Sequence, residues 1–489
     1  MHHRHLARTF ALVALLAAQL AAQLAAQLAS PARAQQPPNV VYILLDDAGW
    51  GDLGCYGQQK LKTPNMDRLA REGMRFTQHY AGSTVCAPTR SCLMTGQHTG
   101  HTPIRGNGRA PDQPEGVFPI GKGTTTVASL LQQRGYATGA FGKWGLGGPG
   151  SDSDALQLGF DHFTGFYSQS FAHDYYPRWL WRDGEKLQLD RKVYAHDVYM
   201  DDALQFVKQH KDGPFFCYLP VIIPHAAMQA PPEYHERFRK QYPQFDDQVG
   251  SYGGDARTSK VQNPIAGFAA MMARLDDDVG RLLALLDELG IADDTLVLLS
   301  SDNGPHHEGG HDPKFWDSNG PFTGTKRSLY DGGIRVPLLA RWPGKVANGS
   351  TSELISAHWD LLPTLCDLAG AEVPAGVDGL SMKPTLLGES GQQQHDYLYW
   401  EFYEQGGKRA LRFGRWKAVR NGLRDDPDAP IELYDITADL GERTDVGKQH
   451  PEVVAQARTF FEAAHTPDPR WRYRGGRQQK KKQQQKKKQ

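Results

Sequence analysis

Acidic residues are missing from both ends of this 489-residue chain: none occurs in the first 34 residues and none from Arg470 onward. Those ends carry bases instead, three arginines in the first 34 residues and ten Lys or Arg in the last twenty. The chain has 55 bases and 55 acids, so the body keeps 42 bases against 55 acids and is acidic by 13 charges. Phosphate backbones are held by Lys and Arg clustered on a folded surface, which excludes a general nucleic-acid binder. Cysteine is scarce: Cys55, Cys86, Cys92, Cys217 and Cys366 are too few for a disulfide scaffold, and their odd number leaves at least one unpaired or chemically altered. Beyond the N-terminus no 18 apolar residues run uninterrupted, so stable membrane insertion is not expected. With 52 Gly, 31 Pro and an ordinary apolar fraction of 39%, the chain is neither collagen, coiled coil nor disordered throughout.

Residues 1–34 read as an export signal: basic residues through Arg8, an apolar stretch from Phe10, and Ala32-Arg33-Ala34 as a cleavage site. Gln19, Gln23 and Gln27 weaken the alternative of an uncleaved anchor, since each needs a hydrogen-bond partner in lipid. A periplasmic or secreted protein beginning near Gln35 is expected. Residues 467–489 form a basic tail in which disorder is expected over the last twenty residues.

Between these ends helices and apolar strands alternate, the mark of an α/β fold. Val40 to Leu45 is an apolar run that predicts a doubly buried strand ending at Asp46-Asp47. Thr63-Pro64 opens a helix that closes at Gly73, and Val127 to Gln133 predicts a second, followed by a strand from Tyr136 to Phe141 that delivers Lys143. Phe215 to Ile223 reads as a strand leading to Pro224-His225. Leu275, Val279, Leu282, Leu286 and Leu289 share a helical stripe stopped by Gly290, before a strand from Thr295 to Ser300 that runs into Asp302-Asn303. Ligands gather at the carboxyl ends of strands in such sheets, so one cleft is expected to collect these polar ends. After Pro384 short aromatic or branched runs, Tyr397–Tyr403, Arg409–Phe413, Trp416–Arg420 and Ile431–Tyr434, precede a helix from Pro451 to Ala464. A main domain over 35–384 and a smaller antiparallel sheet with a terminal helix over 385–466 are expected.

The stretch Cys86-Ala-Pro-Thr-Arg-Ser-Cys-Leu-Met-Thr-Gly96 resembles the signature of the type I sulfatases, in which the cysteine is oxidised to formylglycine before folding. Thr89 replaces that family's usual Ser and Gln97 its Arg or Lys. The resemblance implies an alkaline-phosphatase-like sulfatase fold: a large mixed, mostly parallel sheet flanked by helices, with a smaller C-terminal antiparallel sheet. A hydrated aldehyde carries two hydroxyls on one carbon, one to attack sulfur and one to release sulfate afterwards, and the attacking oxygen calls for a divalent cation. Asp46, Asp47, Asp302 and Asn303 are hard oxygen donors that suit Ca²⁺, with Mg²⁺ second. In the family such a set binds Ca²⁺ together with the modified cysteine, here Cys86.

The same resemblance assigns Lys143 and Lys326 to the sulfate, His225 to the leaving group and Arg90 to bracing the modified residue. The family's Gly-Lys-Trp-His motif has Gly145 here, which leaves the base for sulfate release open among His98, His306, His307 and His311. Asp331 replaces the usual Glu. Arg105, Tyr175, Tyr176, Trp179 and Trp181 are candidates for holding a sugar ring. The reading is a Ca²⁺-dependent sulfuric ester hydrolase of arylsulfatase type, acting on a sulfated small molecule or glycan and matured by a formylglycine-generating enzyme. Its alternatives are a phosphatase or phosphodiesterase on the related fold, disfavoured by Cys86 with Pro88 and Arg90, and a sulfated-glycan binding protein with a decayed site.

Overall fold

A computed structural model describes residues 37–253 and 258–473; residues 1–34, read above as an export signal, and the tail beyond Tyr473 lie outside the described residues. The strand Asn39–Leu45 sits inside a ten-stranded sheet, with Thr295–Ser301 parallel on one side and Phe215–Pro220 parallel on the other. Ala137–Lys143 and His162–Phe166 continue the parallel run, beyond which Trp179–Arg182 and Glu185–Gln188 each run antiparallel to the strand before; on the other side Leu338–Arg341 is antiparallel to both its neighbours, and the edge strand Ser350–Ser352 pairs in parallel with Met74–Phe76. The sheet is thus mixed and mostly parallel. Its central strand divides its side chains with the period of two that a strand imposes. Val41, Ile43 and Leu45 enter one core with the helices Ala195–Gln209 and Pro264–Glu288. Val40, Tyr42 and Leu44 enter another, with Val127–Gln133, Leu361–Ala369 and the lower turns of Cys86–Thr95. Burial on both faces explains the unbroken apolar run.

Two expected elements differ. The run from Phe215 stops as a strand at Pro220, because proline has no N–H for the ladder; Val221 to Ile223 then turn the chain toward His225. The long helix begins at Pro264, well before its leucine stripe, capped by the Asn263 side chain on the Ala266 N–H at 2.9 Å. Its first turns are buried on every side, so no polar face marks them. Thr63 does precede a helix, Pro64–Arg71, but its hydroxyl accepts from the Gly54 N–H at 2.8 Å and does not cap the helix.

A second sheet, Leu398–Phe402, Lys408–Phe413, Trp416–Asn421 and Glu432–Asp435, is antiparallel throughout, with the helix Pro451–Ala463 packed on it. All five cysteines are free thiols. Of the basic tail, Trp471 donates from its indole to the Pro103 carbonyl at 2.9 Å and Tyr473 stacks on Tyr403, so order extends further than composition predicts. Among the described residues no helix is long and apolar enough to cross a membrane.

Glu401 ties the four-stranded sheet to the loop that follows Cys86–Thr95. Its buried carboxylate accepts from Arg105 at 2.8 Å, Tyr399 and Tyr403 at 2.7 Å each, and pairs with His465 at 2.8 Å. Burial opposes its charge, but His465 and Arg105 outweigh burial and lower its pKa from 4.5 to about 2. A lowered carboxylate pKa adds stability above the unfolded value that is lost as pH falls toward the folded one. Glu401→Gln, which leaves Arg105 buried without its counter-charge, should cost about 3 kcal/mol in denaturant titration at pH 7. The gap between wild type and variant should narrow between pH 4.5 and about 2.

Candidate functional site

The parallel pairing of Leu45 with Ser301 sets the two Asp-containing strand ends side by side. The Asp46 N–H donates to the Ile223 carbonyl at 3.0 Å and the Asp302 N–H to the Leu45 carbonyl at 2.9 Å. Asp47 takes a left-handed backbone, φ 68°, which Asp tolerates better than most residues, and its N–H donates to Asp302 Oδ1 at 3.0 Å. Facing these ends, Cys86 opens the buried ten-residue helix Cys86–Thr95. Thr89 uses the hydroxyl it shares with Ser: it accepts from the Ser83 N–H at 2.8 Å and donates to the Ser83 carbonyl at 3.0 Å, closing the turn before Cys86. Arg90, fully buried one turn on, donates to the Lys143 carbonyl at 2.6 Å and to Asp302 Oδ2 at 2.9 Å.

Lys143 Nζ donates to Asp46 Oδ2 at 2.7 Å, and Lys326 Nζ to Asp47 Oδ2 at 2.7 Å. Asp46, Asp47 and Asp302 are therefore matched by Arg90, Lys143 and Lys326, all six out of water. Burial raises the Asp46 pKa, but the surrounding cations, Lys143 foremost with Arg90 and Lys326 adding, together outweigh it and hold the carboxyl below the usual range; burial, with the Asp46 charge adding, pushes Asp302 up to about 7. His225 donates from Nδ1 to the Ala226 carbonyl at 2.6 Å, so Nε2 is left as an acceptor, 3.0 Å from Lys326 Nζ. Burial first, then the Lys326 charge, holds His225 well below its ordinary pKa, in the neutral form. Tyr175 fixes this loop by donating to the Ile222 carbonyl at 2.6 Å, with the His225 carbonyl at 2.8 Å.

The donor set fits a hard divalent cation. Asp46 Oδ1 and Asn303 Oδ1 are buried without any hydrogen-bond partner, which is costly unless a cation takes their lone pairs. Ligand atoms of Asp46, Asp302 and Cys86 lie within 4.8 Å of one another, as do those of Asp46, Asp47 and His225. Three carboxylates and an amide oxygen match Ca²⁺ or Mg²⁺ chemistry.

A cleft of about 270 Å³ opens over Cys86, bounded by Asn107, Gly145, Gln169, His173, His225 and Lys326. The structure brings Asp46, Asp47, Asp302, Asn303, Cys86, Arg90, Lys143, His225 and Lys326 together around it. It separates the four other histidines. His306 joins, with Nε2 4.0 Å from Asp47 Oδ2 and its ring stacked on His225. His311 sits behind it against Phe268, His307 is exposed, and His98 stacks on His101 near Asp378, outside the cleft. Arg105 and Tyr175 are structural and buried. Asp331 braces Lys417 at 2.7 Å, and Gln97 turns outward to the Gly376 carbonyl.

Several cleft residues carried no sequence signal. Asn107 accepts from the Ala87 N–H at 3.1 Å and lies 3.8 Å from Cys86 Sγ. His173 stacks face to face on His225, 4.4 Å between centroids. Gly145 has φ 71°, and a Cβ there would meet Gln169 Nε2 at 1.9 Å, so Gln169 fills the space a side chain would need. Glu308 lies 3.4 Å from Lys326 Nζ and pairs with Arg327 at 2.6 Å. Gly145 was marked by the Gly-Lys-Trp-His motif, and only its place after Asp302-Asn303 could have pointed to Glu308; Asn107, Gln169 and His173 follow no motif spacing.

The sulfatase family profile matches residues 38–371, and the profile "N-sulphoglucosamine sulphohydrolase, C-terminal" matches residues 322–466. The chain is 33% identical over 416 residues to N-acetylgalactosamine-6-sulfatase of Rattus norvegicus, covering 79% of this chain and 72% of that protein. It is 32% identical over 471 residues to arylsulfatase A of Homo sapiens, covering 83% of each. Its fold is similar to the crystal structure of Ps i-CgsB in complex with k-i-k-neocarrahexaose, with a TM-score of 0.74, 26% identity and coverage of 88% of this chain and 93% of that one. The buried acid-and-lysine centre thus sits in a chain that belongs to the sulfatase family and is a sulfuric ester hydrolase.

Proposed function

We propose that this sulfatase removes sulfate from sugars, with Cys86 converted to formylglycine and Ca²⁺ held by Asp46, Asp47, Asp302 and Asn303. The observation that carries the reading is the meeting, around Cys86, of four oxygen-donor residues, two of them with unpartnered buried oxygens, and two buried lysines. Hydrated formylglycine supplies two hydroxyls on one carbon, so attack on sulfur and release of sulfate can use different oxygens. Ca²⁺ supplies Lewis-acid charge that lowers the proton affinity of an attacking hydroxyl.

The chain's own residues do the rest. Arg90 locks Asp302 and the Lys143 backbone into one unit, so the cysteine helix and two strand ends cannot drift apart. Lys143 and Lys326 are the cations for sulfate oxygens; each sits on a short contact to an aspartate that fixes its position before substrate arrives. His225 and Lys326 share a hydrogen bond at 3.0 Å, and the proton between them is available to the leaving oxygen. The helix Cys86–Thr95 is buried along its whole length, which supports maturation before folding, while a formylglycine-generating enzyme can still reach Cys86. A sugar substrate is supported by the sugar named in the rat enzyme and the oligosaccharide in the Ps i-CgsB complex. Residues 1–34 remain an export signal in this reading, so that a domain over 35–384 and its small partner over 385–466 work in the periplasm or outside the cell.

Enzyme matured alongside a formylglycine-generating enzyme should give a peptide containing position 86 that is lighter than its thiol form, because oxygen replaces sulfur. Cys86→Ala should lose hydrolysis of an aryl sulfate down to background while keeping the wild-type circular dichroism spectrum and unfolding midpoint; retained turnover defeats the assignment. EDTA should remove the activity and Ca²⁺ restore it. In calorimetry, Ca²⁺ at a hundred times its dissociation constant should stabilise the metal-free protein by about 2.7 kcal/mol, and Asp46→Asn should abolish that shift.

A further inference from the structure

The edge of the large sheet carries aromatic surface that the core does not consume. Trp179 and Trp181 alternate on one face of the strand Trp179–Arg182, and both stay half-buried. Phe171 meets Trp179 edge-on at 6.3 Å, and Lys186 from the neighbouring strand hangs over both indoles, 4.3 Å from Trp179 and 5.2 Å from Trp181. With Phe166 and Pro177 these rings line a cavity of about 250 Å³, and Arg178 and Arg191 stand on its wall. Arg191 is tied to Asp174 at 2.6 Å. Arg178 is exposed and forms no ion pair among the described residues. Glu115 is the acid on this wall, and it accepts from the Trp181 indole at 2.7 Å.

This cavity adjoins the cleft over Cys86. Glu115 lines both, and residues 168–170, which bound the cleft, connect Phe166 and Phe171, which line the aromatic cavity. A body with an excess of 13 acids here gathers two arginines and a lysine around indole faces. Indole surface suits the C–H face of a pyranose ring, whose hydroxyls stay in water. An unpaired guanidinium suits a planar or tetrahedral oxyanion.

We infer that the cavity is a second sugar subsite, which takes an anionic sugar unit linked to the one that loses its sulfate, Trp179 stacking on the ring and Arg178 binding its sulfate or carboxylate. The inference rests on the sulfatase reading for the neighbouring cleft and adds the class of substrate: a polyanionic oligosaccharide.

Three tetrasaccharides separate the possibilities as competitive inhibitors of hydrolysis of 4-methylumbelliferyl sulfate by matured enzyme. One carries sulfate on the unit next to the reacting sugar, one a uronate there, and one a neutral sugar. Trp179→Ala should raise the inhibition constant of the favoured anionic probe about tenfold and leave kcat/KM for the aryl sulfate unchanged. Arg178→Ala should weaken the same probe and leave the neutral one unaffected; whichever of sulfate or uronate responds identifies the anion. The subsite is overturned if neither anionic probe inhibits wild type, if both variants match wild type, or if aryl sulfate turnover falls equally. Quenching of tryptophan fluorescence by the same probes needs no turnover. Quenching that survives in Cys86→Ser and is lost in Trp179→Ala upholds the subsite even if the catalytic reading fails, whereas quenching retained in Trp179→Ala overturns it.

Discussion

Three carboxylates buried together at the ends of two adjacent strands dictate the rest of this molecule. Moving one such ion out of water costs several kcal/mol even after relaxation, and Asp46, Asp47 and Asp302 lie side by side. They are tolerable only because three cations arrive from separate parts of the chain: Arg90 on the cysteine helix, Lys143 at the end of its own strand, and Lys326 in a loop after the Asp302 strand. The charge balance draws these segments to one point.

The small C-terminal sheet extends the same logic outward. Lys417, buried on one of its strands, pairs with Asp331 at 2.7 Å and Glu442 at 3.2 Å, and Lys408 donates to the Arg327 carbonyl at 2.5 Å. Both contacts bear on the segment that carries Lys326. From the other side Glu401 holds Arg105, in the loop that follows the cysteine helix. The second sheet thus grips both banks of the cleft without supplying a residue to its centre.

How much of this was legible in the sequence follows from what each residue contacts. Strands buried on both faces announce themselves, but a carboxylate after an apolar run is most often a cap or a turn. Asp46, Asp47, Asp302 and Asn303 stood out only as a set of hard oxygen donors at two strand ends flanking the cysteine motif, while Cys86, Arg90, Lys143, His225 and Lys326 came from the motif resemblance. Pro220 was the one misleading point in the Phe215 run, where hydrophobicity continues but the ladder cannot. His173 and Asn107 were not readable. His173 meets a ring 52 positions away, and Asn107 reaches Cys86 from 21 positions away, with nothing in either local pattern to mark it. Four candidate histidines looked equivalent on paper; tertiary packing gave only His306 a place beside Asp47.

The centre and its rim answer to different constraints. At the centre the lysines and carboxylates are paired and dry, so changing one strands the charge of its partner, and chemistry there has little freedom to vary. On the rim, Gly145 with Gln169 in its side-chain space, His173 and the aromatic edge strand carry no such obligation. A substitution there alters shape and stacking without leaving a buried ion unpaired. Selection among sulfated substrates can then change on the rim while the charge-paired centre stays fixed. That separation lets one charge-locked scaffold serve relatives whose names span a sugar sulfate and an aryl sulfate.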